Sequence, residues 1–189
     1  YSVAGYAVAD SDGLGGFDDG YYFGIRRYPY STDLGKNALT FRHIATGEPL
    51  PDTIPSRPNP ASNAEVHNSG EVWATMLWEC YANLLDDRPR LSFAQAQERM
   101  KRYLVGGYKM MPPDPTFVAA RDAILAVMLA QDPRDHALCL AGFAKRGLGA
   151  GAVAPDSYSP DNVGVIESFA VTAPAGGPIR PAIEYYHAA

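Results

Sequence analysis

A long apolar stripe in the middle of the chain constrains the fold more than any other feature of the sequence. Its members are Val72, Trp73, Met76, Leu77, Cys80, Tyr81, Leu84 and Leu85. They recur in pairs at intervals of one helical turn, the pattern of a helix with one broad apolar face. Such a helix buries that face against other elements, so we expect it to form the centre of a packed domain.

The residues just before the stripe predict where this helix begins. Asn68 is followed three residues later by Glu71, which is the spacing of a capping box, so we expect the helix to start near Ser69. His67 then lies just outside the N-terminus of a buried helix, held rigidly and pointing out of the core. Taken alone, the sequence favours a structural role for such a histidine over a catalytic one.

A second helix follows the central one. Ser92 and Gln95 have the spacing of another capping box, and Gly106-Gly107 stops or bends the helix that they open. The expected inward-facing residues of this helix are Phe93, Ala96, Met100, Tyr103 and Leu104.

Two more helices are predicted in the second half of the chain. Asp114 as N-cap and Pro115 in the first position open the third, which Asp132-Pro133 ends. The fourth lies around residues 134–146, with Gly147 as its stop. The residues expected to be buried are Phe117, Ala120, Ile124, Val127 and Met128 in the third helix and Leu138, Ala141 and Ala144 in the fourth.

Residues 1–60 hold few periodic segments and are rich in Gly, Asp, Tyr and Pro. Their many aromatic side chains supply too much apolar surface for disorder, so we expect ordered loop with a short helix or two. Residues 10–13 are interpreted as an Asp/Gly turn, not a calcium loop, because the Glu that closes an EF-hand is missing. The sequence thus predicts a mainly α fold, an irregular bundle of about four or five helices behind a long Gly/Tyr-rich N-terminal loop segment.

The composition bounds the class of protein and its partners. A chain of 189 residues with 47% hydrophobic and 20% charged residues is typical of one soluble globular domain. The net charge of −5 and the lack of a Lys/Arg cluster argue against nucleic acid as a partner. The longest apolar run, residues 123–130, is too short to cross a membrane. The chain starts without an initiator Met or a basic leader, so we expect no targeting segment and a piece of something longer.

The sequence lacks the motifs of a complete catalytic centre. None of the four histidines belongs to a His-Glu-x-x-His motif, and no two lie at helical ligand spacing, so we expect no metal site within this chain. The two cysteines, Cys80 and Cys139, are too far apart in sequence for a Cys-x-x-Cys site. Because Cys80 belongs to the apolar stripe, a buried free thiol is favoured over a disulfide bridge.

Several blocks of the sequence resemble the fungalysin family of secreted zinc metalloendopeptidases. Residues 24–32, GIRRYPYST, resemble the family's Gly-Ile-Arg-x-Tyr-Pro-Tyr-Ser-Thr stretch, and residues 70–79, GEVWATMLWE, resemble its helix that follows a histidine. Residues 115–125 and 143–149 extend the similarity, which covers roughly residues 20 to 150 in the family's order. The resemblance implies a C-terminal helical subdomain of a thermolysin-like catalytic domain, to which we assign residues 1–170. The Pro/Gly-rich run at residues 174–178 predicts a tail or linker at 171–189.

In this family zinc is held by two His of a His-Glu-x-x-His helix and a Glu further along, and it activates the attacking water. Those elements precede the matched blocks, so the resemblance implies zinc in the full-length enzyme and none bound by this chain alone. The implied partners are the N-terminal zinc-binding lobe of the same protein and peptide or protein substrates. The implied location is secreted or extracellular, and the isolated chain is expected to be inactive.

The resemblance also assigns two site residues. His67 resembles the histidine that donates a hydrogen bond to the oxyanion of the tetrahedral intermediate. Arg26 resembles the arginine that binds a substrate carbonyl, although a structural ion pair is its alternative role. Thermolysin-like enzymes orient the histidine with an upstream Asp, and the groups available here are Asn63, Glu65 and Glu71.

One departure from the family's pattern concerns its cysteines. The family's cysteine before its Asn-Pro-Thr-Phe stretch is replaced around residues 112–114, so the resemblance implies that any family bridge to Cys139 is absent. Tyr28, Tyr30 and Trp73 are expected in the core more than in a pocket. The alternative function is a non-catalytic helical interaction or structural module that retains the peptidase-lobe fold.

Overall fold

The computed structural model describes residues 1–5 and 20–172, and helices dominate them. The helices are α1 (Gly20–Phe23), α2 (Val66–Asp86), α3 (Phe93–Met110), α4 (Phe117–Gln131) and α5 (Pro133–Lys145), with a 3₁₀ turn at Phe41–Ile44 between α1 and α2. In these two ranges no strand forms, and pairing is limited to isolated β-bridges. The expected mainly α bundle is therefore confirmed. The Asp/Gly turn at residues 10–13 and most of the expected tail lie outside the described ranges.

The helix that carries the apolar stripe occupies the centre of the bundle. It packs against α5, α3 and the 3₁₀ turn, while α4 packs against α3 and α5. Val72, Met76, Cys80 and Leu84 of the stripe are fully buried, and their neighbours in each pair are partly buried. Each large apolar side chain buried in this way stabilises the fold by about 1.5–3 kcal/mol. Of the helices in the described ranges, none is both long and apolar enough to cross a membrane.

A disulfide bridge joins the two cysteines, so the expectation of a free thiol at Cys80 is wrong. Cys80 of α2 and Cys139 of α5 have Cα atoms 4.3 Å apart. The two helices approach closely because Gly142 of α5 has no side chain, and a Cβ there would lie 2.9 Å from the backbone nitrogen of Cys80. Constraining the unfolded chain in this way is worth about 4 kcal/mol for a loop of this length.

The glycine pair in α3 does not stop the helix, which was one of the two predicted outcomes. The helix continues to Met110, and its capping box of Ser92 and Gln95 forms as predicted. Gly107 instead lets α3 pack closely on α4, since a Cβ at this position would lie 2.9 Å from the Cα atom of Ile124. Here a glycine marks a helix–helix contact and not a helix end.

The start of α4 and two of the predicted buried positions also differ from expectation. Thr116, not Asp114, caps α4 by accepting a hydrogen bond from the backbone nitrogen of Ala119. Asp132 and Pro133 do separate α4 from α5, with Asp132 as the N-cap of α5. Phe93 is exposed, as is Ala141, because each lies outside the strip of its helix that faces the bundle.

Charged side chains tie α3 to the start of α5 at one end of the bundle. The fully buried Asp135 accepts hydrogen bonds from the hydroxyl of Tyr103 at 2.6 Å and from Arg99 at 2.8 Å, and it also contacts Arg90. Burial raises the pKa of Tyr103 to about 12. Burial alone would raise the pKa of Asp135, but these hydrogen bonds outweigh it and hold that pKa below its usual value. This cluster is a stabilising ion-pair network.

The loops on either side of the helices pack onto the same core. Tyr28 and Tyr30 are buried, as expected for core residues. The fully buried Arg146 lies just after α5 and donates to Glu79 of α2 at 2.7 Å and to the carbonyl of Ser31 at 2.6 Å. Gly147 then adopts a left-handed conformation with φ +82°, which ends α5 as predicted.

Candidate active site

The predicted catalytic histidine lies in the first turn of α2 and is held by a carboxylate. The helix begins at Val66 with Glu65 as N-cap, so the expected start near Ser69 and the capping box of Asn68 and Glu71 are both wrong. One oxygen of Glu65 accepts a hydrogen bond from the backbone nitrogen of His67 at 2.9 Å, and the other lies 2.7 Å from the ring nitrogen Nδ1. Of the three groups that could orient His67, Glu65 makes the contact.

The contact with Glu65 determines which side of the imidazole is available. The side chain of His67 is 74% exposed, so the ring projects away from the bundle. With Nδ1 against Glu65, Nε2 is the nitrogen that can meet a ligand. The hydrogen bond to His67 lowers the pKa of Glu65, which keeps that carboxylate ionised. A negative charge at this position also interacts favourably with the N-terminus of α2.

Arg26 lies next to this turn. One of its terminal nitrogens is 3.4 Å from the backbone carbonyl oxygen of His67. Burial raises the pKa of the nearby Tyr30, and the positive charge of Arg26 lowers it to a lesser extent. The Nε atom of Arg26 is buried and has no hydrogen-bond partner among the described residues. The structure therefore brings the two predicted site residues together.

A cavity of about 370 Å³ adjoins Arg26. It is lined by Ile25, Arg26, Arg27, Arg57, Pro58, Asn59 and Pro60. Its position places Arg26 at the edge of a space that a polar ligand can enter.

An apolar groove of about 270 Å³ lies beside the first turns of α2. Val66 and Trp73 line it together with Tyr108 and Met111 at the end of α3 and residues 115–117 at the start of α4. Trp73 is partly buried and packs against Phe117 and Phe143, with ring centroids 5.7 Å apart in both cases. Trp73 thus belongs to the core and also lines a groove, a double role that the sequence did not predict.

A buried ion pair that sequence reasoning missed supports this turn on the side that faces the core. Arg27 and Glu71 form an ion pair at 2.9 Å, and both are buried. The position of Glu71 beside the apolar stripe was the signal available for it, since a charged residue there needs a buried partner. No local pattern identifies that partner, because Arg27 lies 44 residues earlier in the chain.

The described residues contain no group of three or more His, Cys, Asp or Glu side chains that could hold a metal ion. They do contain the exposed imidazole of His67, the carboxylate of Glu65 against its Nδ1, and the guanidinium of Arg26 near its backbone carbonyl. Such a set can stabilise a developing negative charge and bind a carbonyl oxygen.

Comparison with known proteins identifies the family. The family model for fungalysin metallopeptidase (M36) matches residues 4–152, and the chain belongs to this family. Relatives include "Extracellular metalloproteinase mep" of Aspergillus terreus, which is 33% identical over 75% of this chain and 22% of the relative. "Extracellular metalloproteinase 9" of Uncinocarpus reesii is 39% identical over 68% of this chain and 20% of the relative. "Extracellular metalloproteinase 1" of Trichophyton equinum is 37% identical over 74% and 21%.

The predicted family resemblance is therefore confirmed. The chain spans about a fifth of the length of the curated relatives it matches. The matched range includes α1 to α5 together with Arg26 and His67.

Proposed function

We propose that this chain is the C-terminal lobe of a secreted, zinc-dependent endopeptidase. In this proposal the lobe supplies residues that bind substrate and stabilise the transition state, while the zinc ligands lie in an N-terminal lobe of the same protein. Zinc in the full-length enzyme supplies the polarising charge for peptide hydrolysis. Because the sequence contains no His-Glu-x-x-His motif, the chain alone is expected to be inactive.

The observation that carries the proposal is the placement of His67 between Glu65 and Arg26. The imidazole is exposed and has a carboxylate at 2.7 Å, and the guanidinium of Arg26 lies 3.4 Å from the histidine's own carbonyl. A structural histidine would be expected to point its ring into the fold, whereas this ring points outward from a helix terminus held by the core. The family's oxyanion histidine has the same requirements.

The chemistry of the site follows from the two ring nitrogens of His67. While Nδ1–H donates to Glu65, a proton on Nε2 can be donated to the oxygen of the scissile carbonyl as it gains negative charge. That hydrogen bond strengthens as the carbonyl becomes tetrahedral, so it stabilises the transition state more than the bound substrate. Arg26, whose buried Nε has no acceptor among the described residues, binds an adjacent substrate carbonyl.

The proposed location and partners have independent support. The relatives are named as extracellular metalloproteinases, and the disulfide between Cys80 and Cys139 fits an oxidising compartment. Peptides or proteins are the substrates that a peptidase family implies. The N-terminal lobe would lie against the face that presents His67, where the apolar groove and the Arg26 cavity leave surface open.

The decisive experiment is His67→Ala in the full-length protein. We expect kcat to fall by on the order of 10²–10³, about 2.7–4 kcal/mol, with KM almost unchanged, because the lost hydrogen bond acts in the transition state. Folding should survive, since the side chain is exposed and alanine favours helix. The control is His136→Ala, which changes a histidine on α5 and should leave kcat unchanged.

Normal kcat in His67→Ala would end the catalytic assignment. If the full-length protein also lacked a His-Glu-x-x-His motif upstream, the non-catalytic helical module would become the better description. Stability measured on the same preparation separates a lost catalytic contact from a lost helix cap.

A further inference from the structure

One buried guanidinium holds the turn on which the candidate catalytic histidine lies. Arg27 is only 3% exposed, and each of its three nitrogens donates to a different residue of α2 or the turn before it. Nε donates to Glu71 at 2.9 Å, Nη1 to the side-chain oxygen of Asn63 at 2.7 Å, and Nη2 to the backbone carbonyl of Asn68 at 2.8 Å. Three of its five guanidinium hydrogens thus point into one short stretch of chain.

The acceptors of Arg27 bracket the residues that perform the proposed chemistry. Asn63 precedes Glu65 and His67, and Asn68 follows them, so the guanidinium fixes both ends of the turn. Asn63 is anchored further by donating to the carbonyl of Glu48 at 2.7 Å. The side chain of Asn68 donates to the carbonyl of Ser62 at 2.9 Å, which closes the turn on itself.

The same contacts fix the segment that carries Arg26. Glu71 accepts the side chain of Arg27 with one carboxylate oxygen and the backbone nitrogen of Tyr28 with the other, at 2.8 Å. Arg26 directly precedes these two residues. One carboxylate on α2 therefore ties the backbone beside Arg26 to the helix that carries His67 in its first turn.

We propose that Arg27, held by Glu71, is a positioning residue that sets the place of His67 and its carboxylate relative to Arg26. The inference rests on the proposed function for the roles of His67 and Arg26. A planar guanidinium is required because one group must reach three acceptors in fixed directions, which the single ammonium of lysine cannot do. Arg27 contacts no substrate in this proposal and acts through the two residues that do.

The test is Arg27→Lys, which keeps the buried positive charge beside Glu71 and removes the planar guanidinium with its three donor nitrogens. The matched control is Arg146→Lys. Arg146 is equally buried, also donates through Nε to a glutamate of α2, Glu79 at 2.7 Å, and also reaches loop carbonyls with its other nitrogens. Each variant loses the hydrogen bonds that a planar guanidinium makes to a glutamate of α2 and to nearby carbonyls, so the two losses of stability should be similar. Only Arg27→Lys makes this change next to His67, so only that variant should disturb the imidazole.

The readout is long-range proton–nitrogen NMR of the His67 ring in the 189-residue chain. In the unchanged chain and in Arg146→Lys we expect the neutral ring to carry its proton on Nδ1, facing Glu65. In Arg27→Lys we expect the mixture of tautomers of a mobile imidazole. If Arg27 had only a structural role, Arg27→Lys would lower the free energy of unfolding and leave the NMR signal of the His67 ring unchanged.

An unchanged Nδ1–H signal in Arg27→Lys would overturn the inference, and so would its loss in both variants. If Arg27→Lys does not fold, Asn63→Ala, which removes one acceptor, is measured in the same way against the same criteria. In the full-length enzyme Arg27→Lys should lower kcat by about 10²-fold with little change in KM, as expected for a misplaced catalytic group.

The two proposals fail in different ways. Normal kcat in His67→Ala would refute the proposed function while leaving the tautomer result intact. An unaltered His67 ring in Arg27→Lys would refute the positioning role while leaving the role of His67 standing.

Discussion

At the scale of single residues, two histidines show how burial decides what an imidazole does. The ring of His67 is exposed and rests on a carboxylate. His43 is 1% exposed, its Nδ1 accepts the backbone N–H of Thr40 at 2.9 Å, and its Nε2 has no partner among the described residues. Since Nδ1 is an acceptor here, the buried ring is neutral, and adding a proton would turn that acceptor into a donor facing another donor.

His43 should make the stability of the domain depend on pH. Burial lowers its pKa, Arg42 and Arg27 act in the same direction, and Glu167 opposes them. The unfolded chain takes up a proton on this ring near about pH 6.5 and the folded chain only at lower pH. Between those pH values the unfolded state binds more protons, so the free energy of unfolding falls as the pH falls.

The variant that isolates this effect is His43→Asn, whose side-chain oxygen can still accept the N–H of Thr40. Urea denaturation at about pH 7 and about pH 5 should show a smaller loss of stability on acidification in His43→Asn than in the unchanged chain. His136→Ala removes a histidine of α5 instead and should keep the full loss. Equal pH dependence in the unchanged chain and His43→Asn would show that another group is responsible.

At the scale of helices, local sequence predicted what local contacts decide. The start of α3 at Ser92 and the end of α5 at Gly147 were both predicted, because a capping box and a left-handed glycine involve only adjacent residues. The start of α2 was not. Glu71 has the spacing of a capping residue, but it turns inward because Arg27, far away in sequence, needs a buried carboxylate.

The wrong prediction for Cys80 and the absence of a stop at the glycine pair of α3 both concern contacts between helices. The position of Cys80 on the apolar stripe correctly indicated burial, but the closeness of Cys139 depends on how α5 crosses α2 at Gly142. In the same way, the placement of His67 and Arg26 followed from the family resemblance, whereas the identity of the orienting group required the geometry of Glu65. Patterns in one helix cannot carry this information about its neighbours.

The packing of α3 on α4 gives a prediction with opposite signs at two helical glycines. Gly107→Ala should destabilise the domain by about 1–3 kcal/mol, because the new methyl group would overlap the backbone of Ile124. Gly70→Ala is the control, since an added Cβ there meets nothing within 4 Å and alanine favours helix by about 0.8–1.0 kcal/mol. Thermal unfolding of both variants is the measurement, and destabilisation by Gly70→Ala would contradict the open surface at that position.

At the scale of the whole molecule, the packed domain extends beyond the range that matches the family model. That match ends at residue 152, yet the next twenty residues return to the 3₁₀ turn and to the end of α5. The backbone nitrogen of Thr46 donates to the carbonyl of Asp161 at 2.8 Å, and that of Arg42 donates to the carboxylate of Glu167 at 3.0 Å. Gly149 donates to the carbonyl of Ser168 at 2.7 Å. The boundary near residue 170 stays a prediction, and these contacts support including the chain up to residue 168 in the domain.

Truncation tests this boundary. A chain that ends at residue 152 should lose on the order of 3 kcal/mol of stability, since it gives up three or more hydrogen bonds each worth about 1 kcal/mol net. A chain that ends at residue 172 keeps all of these contacts and should unfold at the same urea concentration as the full 189 residues. Equal stability of the 152-residue chain would make residues 153–172 a passive extension. A loss already present in the 172-residue chain would place the boundary further along. Hydrogen exchange at the backbone N–H of Thr46 gives a local measurement. It should be faster in the 152-residue chain than in the 172-residue chain, because only the longer chain keeps the carbonyl of Asp161 as its acceptor.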